Sequence, residues 1–333
     1  MPKKGSHTPR QPLGDPADPY GWHCLSEAYF EWMGVTNYSP QTIGNRRTYL
    51  KYFVIWCLER GIHQPCEVSR ATIERYQRYL FHYRKKSGDA LSVRSQHTRL
   101  IPVRAVFKWL TRQNHILHNP ASEIDLPKLE HRLPKHVLTI SETETVLEQP
   151  DVKEPLGLRD RAMLETLYST GMRRMELATI KIHDLDADRG TLIIRQGKGR
   201  KDRMVPIGDR AISWIERYLD EVRPDLVREP DDQTIFLTNL FEPFTPNRLT
   251  QLVRNYIDAA DIGKRGSCHL FRHTCATLML ENGADIRFIQ QMLGHAKLET
   301  TQIYTQVSIR KLKEIHSATH PARVQRSPDN AEK

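Results

Sequence analysis

From Trp22 onward the chain alternates apolar and polar positions with a helical rather than a strand period. Ser39-Pro40 has the form of a helix cap followed by proline at the first helical position, after which Ile43, Leu50, Phe53, Val54, Cys57 and Leu58 recur on one face until Gly61. Similar patterns predict helices over about 69–86 and 91–113, the latter bent or divided by Pro102, since an interior proline loses a hydrogen bond and crowds the preceding turn. The first 19 residues carry Pro2, Pro9, Pro12, Pro16 and Pro19 among small polar residues, which predicts a flexible tail. Proline-rich, aperiodic sequence returns over 119–137 and predicts a linker.

Beyond the linker a helix is expected from Leu158 to Ser169, stopped by Gly171 so that Arg173 enters the first turn of the next helix. Short β-favouring runs at Ile180–His183, Leu192–Arg195 and Met204–Ile207 predict a small antiparallel sheet, with Lys198 at a hairpin tip. Helical spacing resumes after it, and 317–333 reads as a second tail. The expected fold is mainly α with a small antiparallel β-sheet, in two domains: a helical one over 20–118 and a mixed one over 138–316.

The net charge of +10 changes this picture, because the first 125 residues hold 18 lysines and arginines against 10 acids and so carry +8 of it. A polyanion-binding first domain is the expectation, with Arg46, Arg47, Arg78, Arg94, Arg99 and Lys108 as candidate phosphate contacts; a merely solvated basic surface is the alternative. No apolar run has the length of a bilayer span or a signal peptide, and the five cysteines form no C-x-x-C pair. A cytoplasmic protein with free, packed thiols is expected.

Candidate chemistry sits in the second domain. Direct attack on a phosphodiester needs a nucleophile, cations for the charge developing on the phosphoryl oxygens, and an acid for the departing 5′ oxygen. Arginine suits the clamp, being planar and permanently charged, which points to Arg173 and Arg272; Lys198, whose proton can be given away, suits the acid role. His269 lies three residues before Arg272 on one helical face, with Phe271, Cys275 and Leu278 opposite. Leu293-Gly294 places His295 just past a helix, with a ring able to donate to a phosphate oxygen. Singly these signals are weak: H-x-x-R also occurs at His7–Arg10 and His320–Arg323.

The ordered set is specific. Thr170-Gly171-Met172-Arg173-Arg174-Met175-Glu176-Leu177, Gly197-Lys198-Gly199, His269-Leu270-Phe271-Arg272, Leu293-Gly294-His295 and then Tyr304 resemble, in kind and order, the motifs of the tyrosine recombinase (phage integrase) family, most closely its Xer-like members. The resemblance covers about residues 20–316, with the first domain similar to the family's helical, SAM-like core-binding domain. It implies that Arg173, Lys198, His269, Arg272 and His295 surround the scissile phosphate, and that Tyr304 forms a 3′-phosphotyrosyl link. Glu176 resembles the family's supporting acid, against the reading of an exposed helix carboxylate. The resemblance also implies double-stranded DNA as partner, a homotetramer or a heterotetramer with a related recombinase on paired sites, and no cofactor. Ser308–His316 is a candidate for the exchanged C-terminal helix, or else a helix local to its domain. Arg174, Phe271 and Ala296 depart from the family pattern without removing a working group. Type IB topoisomerase-like relaxation and a catalytically inactive DNA-binding protein stay open beside recombination, in dimer resolution or in integration and excision. A zinc site at His269 and His273 is disfavoured, because Leu270 stands where the zincin pattern needs glutamate.

Overall fold

The computed structural model describes residues 12–129, 136–195, 202–295 and 301. Lys198, Tyr304, Ser308–His316 and the tail from 317 lie outside the described residues. The chain divides into two compact units, Met1–His131 and Arg132–Lys333.

The first unit contains α1 (Trp22–Val35), α2 (Pro40–Leu58), α3 (Arg70–His82) and α4 (Val93–Arg112), with a 3₁₀ turn at Pro65–Glu67. Three of the four helices start on a serine whose hydroxyl accepts a backbone N–H three residues on: Ser39 from Thr42, Ser69 from Thr72 and Ser92 from Ser95. Each helix then contributes at least one aromatic ring to a shared core. Trp22 of α1, Tyr76 of α3 and Phe107 of α4 surround Phe53 of α2 at centroid distances of 5.7, 4.9 and 6.1 Å, all edge-on. Such pairs add roughly 0.5–1.5 kcal/mol each beyond the area they bury. Pro102 is buried within α4, which continues unbroken through it.

Two expected boundaries move. Leu13 packs on this core and Asp18 accepts from Gln64 Nε2 at 2.8 Å, so the second half of the presumed tail is held in place. Ala121 and Ile124 are buried in the same core, while Gln77 Nε2 donates to Asp125 O and the His97 ring bonds Pro127 O. The stretch 119–127, expected as linker, therefore belongs to the first unit.

The second unit contains α5 (Ile140–Leu147), α6 (Pro155–Thr170), α7 (Arg174–Thr179), a sheet of β1 (Leu185–Asp186), β2 (Thr191–Ile194) and β3 (Arg203–Pro206), then α8 (Asp209–Glu221), α9 (Arg223–Leu226), α10 (Pro246–Ala259), α11 (Cys268–Glu281) and α12 (Ile286–Leu293). The sheet is antiparallel in the order β1-β2-β3, with Leu192 opposite Val205 turned into the core. α6 is buried on nearly every side, packing on α8 and α11, and is the axis of the unit. The Ile180–His183 strand does not form. Asp184 accepts from Lys181 N at 3.0 Å and winds Ile182–Asp184 into a 3₁₀ turn, leaving a single bridge from Lys181 to Thr234.

No described helix is long and apolar enough to cross a membrane. All five cysteines are free; Cys57, Cys268 and Cys275 are buried, whereas Cys66 is exposed and lies outside the core.

Candidate active site

Two glycines in the left-handed region bring the site together. Gly171 ends α6 at φ +57°, a conformation that favours glycine, and a Cβ there would press on Leu293 Cδ2 at 2.9 Å where the end of α6 approaches α12. Gly294 ends α12 at φ +62°. The turn after Gly171 makes Arg173 the N-cap of α7, rather than a residue of its first turn as expected.

Glu176, one turn into α7, accepts the Arg173 backbone N–H at 2.8 Å and Arg173 Nη1 at 2.9 Å. Its side chain is only 6% exposed, which decides against the reading of a surface helix carboxylate. Arg203, the first residue of β3, reaches the same carboxylate with both terminal nitrogens, Nη1 to Oε1 at 2.9 Å and Nη2 to Oε2 at 2.7 Å. Burial by itself would raise the Glu176 pKa. Hydrogen bonds from Arg203 and the Arg173 backbone, together with both guanidinium charges, outweigh it and hold the carboxyl below its ordinary value.

Three arginines from separate segments converge on the C-terminal end of α12. Arg203 Nε donates to Met292 O at 3.0 Å, Arg272 Nη2 to Leu293 O at 2.7 Å, and Arg173 Nη2 to Gly294 O at 3.0 Å. The last carbonyls of a helix lack intrahelical donors and form the negative end of its dipole, so they attract cations. Arg272 is 4% exposed and also donates Nη1 to Gly171 O at 2.8 Å. That burial corrects the simple division of α11 into a packed face and a substrate face, because Arg272 itself is packed between helix ends.

Arg272 Nη2 lies 2.9 Å from His295 Nε2. A guanidinium cannot accept, so Nε2 accepts and the proton resides on Nδ1, which meets Thr301 Oγ1 at 2.8 Å. Donation from Nε2 to a phosphate therefore requires His295 to gain a proton or change tautomer. His269 stands in the first turn of α11 and is exposed as a whole. Packing around its ring, then the charges of Arg272, Arg174 and Arg173, lower its pKa and favour the neutral form. Arg174, on α7, donates to Thr250 Oγ1 of α10 at 2.9 Å.

Of the predicted catalytic and supporting residues, Arg173, Glu176, His269, Arg272 and His295 are described; the first two and last two share one hydrogen-bonded cluster, and His269 lies within the field of its arginines. Arg203 was not foreseen. Its sole sequence signal is a charged residue opening an otherwise apolar strand. Among the described residues no group of three or more His, Cys, Asp or Glu is placed so that it could hold a metal ion. In the first unit Arg78, Arg94 and Lys108 are exposed and Arg99 lies over Tyr52, whereas Arg46 donates to the Tyr29 hydroxyl and Arg47 to Glu27.

Residues 136–310 match the Phage integrase family. The chain is 51% identical over 318 residues to tyrosine recombinase XerC 2 of Ralstonia nicotianae, covering 96% of this chain and 91% of that one. It is 36% identical over 304 residues to tyrosine recombinase XerD of Chlorobaculum tepidum, covering 90% and 97%. Among solved structures it is similar to the XerH site-specific recombinase bound to a palindromic difH substrate in a post-cleavage complex, with a TM-score of 0.66, 26% identity, and 83% and 79% of the two chains covered. The fold, the ordered motifs and these matches together place the chain in the phage integrase family, as a tyrosine recombinase that cleaves and rejoins DNA.

Proposed function

We propose that this enzyme recombines paired duplex sites as a multimer, with Tyr304 as nucleophile and the scissile phosphate held between Arg173 and Arg272. The observation that carries this reading is the convergence of Arg173, Arg203 and Arg272 on one helix end with a single carboxylate, Glu176, among them. The cluster keeps a net positive charge, so it attracts an anion, and its guanidiniums are already oriented by carbonyls. Such preorganised donors stabilise developing charge without reorganising during the reaction.

In the reaction, Tyr304 gives up its phenolic proton to solvent, its Oη attacks phosphorus, the P–O5′ bond breaks, and a 3′-phosphotyrosyl bond forms. The 5′ oxygen takes its proton from Lys198. A phenol with a pKa of about 10 is roughly three units too weak an acid at neutral pH, a deficit of about 4 kcal/mol that neighbouring arginines offset. Neutral His269 supplies a hydrogen-bond donor to the phosphate without adding charge. Exposed Arg78, Arg94 and Lys108, with Arg99, contact phosphates in the first unit, and phosphate contacts fix register without reading sequence. Integration, excision and dimer resolution all follow from the same strand exchange, according to how the two sites are arranged.

The test is a nicked duplex that traps the covalent intermediate. Wild-type protein is expected to form a DNA adduct that Tyr304→Phe does not form. An adduct persisting in Tyr304→Phe refutes the nucleophile, and no adduct from wild type refutes the activity of this site. Paired target sites are expected to yield recombinant products; relaxation alone would instead identify topoisomerase-like action.

A further inference from the structure

We propose that Arg203 is a positioning residue of the cleavage reaction, serving to keep the Glu176 carboxylate from closing Arg173 into a neutral ion pair. This rests on the proposed role of Arg173 as a clamp on the scissile phosphate. Glu176 Oε1 accepts from Arg173 Nη1 and from Arg203 Nη1, each at 2.9 Å. Its Oε2 accepts from the Arg173 backbone N–H at 2.8 Å and from Arg203 Nη2 at 2.7 Å. One anion thus serves two cations, and the bidentate fork, the stronger geometry, belongs to Arg203.

With Glu176 alone beside it, Arg173 would face an unshared carboxylate in a water-poor site, and an incoming phosphate would have to compete with that carboxylate for the guanidinium. Arg203 offsets the charge while leaving the orienting hydrogen bonds in place. The arrangement is built rather than incidental. The Arg203 side chain is 13% exposed, its Nε is fixed by Met292 O, and it passes so close to Gly294 that a Cβ there would meet its Cδ and Nε at 3.1 Å. The Gly294 carbonyl is in turn the acceptor for Arg173 Nη2. Arg203 therefore borders Arg173 on both sides, through the carboxylate and through the end of α12.

The claim is about charge, so a double-mutant cycle tests it. Strand cleavage on the nicked duplex is measured for the full-length wild type, Arg203→Met, Glu176→Gln and the double variant. Arg203→Met keeps the stem and removes the charge; it is expected to slow cleavage about 10–100-fold, the range for residues that orient a reacting group. Removing the carboxylate charge as well is expected to restore about tenfold over Arg203→Met, because no anion then holds Arg173 back. A double variant slower than Arg203→Met, as additive structural damage would give, overturns the proposal, as does Arg203→Met cleaving at the wild-type rate. Should Arg203→Met not fold, Arg203→Lys keeps the charge without the fork and is expected to cleave within about tenfold of wild type; a deeper loss overturns the assignment. Cleavage is read whichever residue attacks, so an adduct persisting in Tyr304→Phe refutes the nucleophile while the cycle still judges Arg203.

Discussion

Replacing Glu176 by glutamine preserves shape and removes one charge, and the surrounding hydrogen bonds determine the cost. Four donors point at the carboxylate: the Arg173 backbone N–H, Arg173 Nη1, and both terminal nitrogens of Arg203. Glutamine offers one oxygen and one NH₂ group. With the NH₂ in place of Oε1 it faces two guanidinium nitrogens; in place of Oε2 it faces the Arg173 N–H and Arg203 Nη2. Either way two donor-to-donor contacts replace hydrogen bonds, and two arginines lose the anion between them. Breaking a buried ion pair by removing one partner costs roughly 3–5 kcal/mol. The arginine side chains are 13% and 21% exposed, so some solvent reaches them and the lower end, about 3 kcal/mol, applies.

For a unit of this size 1 kcal/mol corresponds to about 2–4 °C, so calorimetry of Glu176→Gln should show the melting temperature of the second unit lowered by about 6–12 °C at pH 7. The pH dependence supplies an independent check. The Glu176 pKa is lowered on folding, so its contribution is complete above the unfolded carboxylate pKa of about 4.3 and is lost as pH falls through the folded value. The gap between wild type and variant should hold from pH 7 to about pH 5 and close only in stronger acid. A variant melting within about 2 °C of wild type at pH 7, or a gap that closes near neutrality, refutes the reasoning.

The histidines and their neighbours give two further expected outcomes. His273 has its pKa lowered to about 4, by burial first and then by His269 and Arg272, so between that value and the unfolded value of about 6.5 the unfolded chain binds the extra proton. Stability should therefore rise with pH through this window and be lost as pH falls through it; urea midpoints compared for wild type and His273→Asn should show a weaker dependence in the variant, and equal slopes would contradict the assignment. Arg174→Gln removes one of the charges that lower the His269 pKa, so that pKa should rise toward the ordinary histidine value, followed by proton NMR of the ring; an unchanged or lower value would show that Arg174 exerts no field there.

What the sequence disclosed divides by the range of the interaction. Ser39-Pro40, the Gly171 stop and the Leu293-Gly294 stop are local signals, settled within four or five residues, and each structure they announce is present. Ile180–His183 misled because β-favouring side chains say nothing of Asp184, whose carboxylate turns the chain before a strand can form. Arg46 and Arg47 count as free cations in any charge census. Tyr29 and Glu27, 17 and 20 positions away, take up one donor of each.

Arg203 shows why the rest of the site could not be read in advance. Strand periodicity assigns it a face and no partner, since its carboxylate lies 27 positions upstream and its carbonyl 89 positions downstream. The motifs locate Arg173 and Arg272 separately, and nothing in either motif says that both are tied to the end of one short helix. That helix end is the physical reason they converge: Met292, Leu293 and Gly294 present carbonyls that α12 cannot satisfy, and each draws a guanidinium from a different segment. A cationic cluster would otherwise repel itself apart. Here unsatisfied backbone carbonyls and one shared carboxylate hold it together, so the positive charge is concentrated before any phosphate arrives. The same physics explains why Gly294 suits its place: a side chain there would strain the left-handed turn and press on the Arg203 stem at 3.1 Å, against the hydrogen bonds that fix Arg203 to Glu176 and to Met292 O.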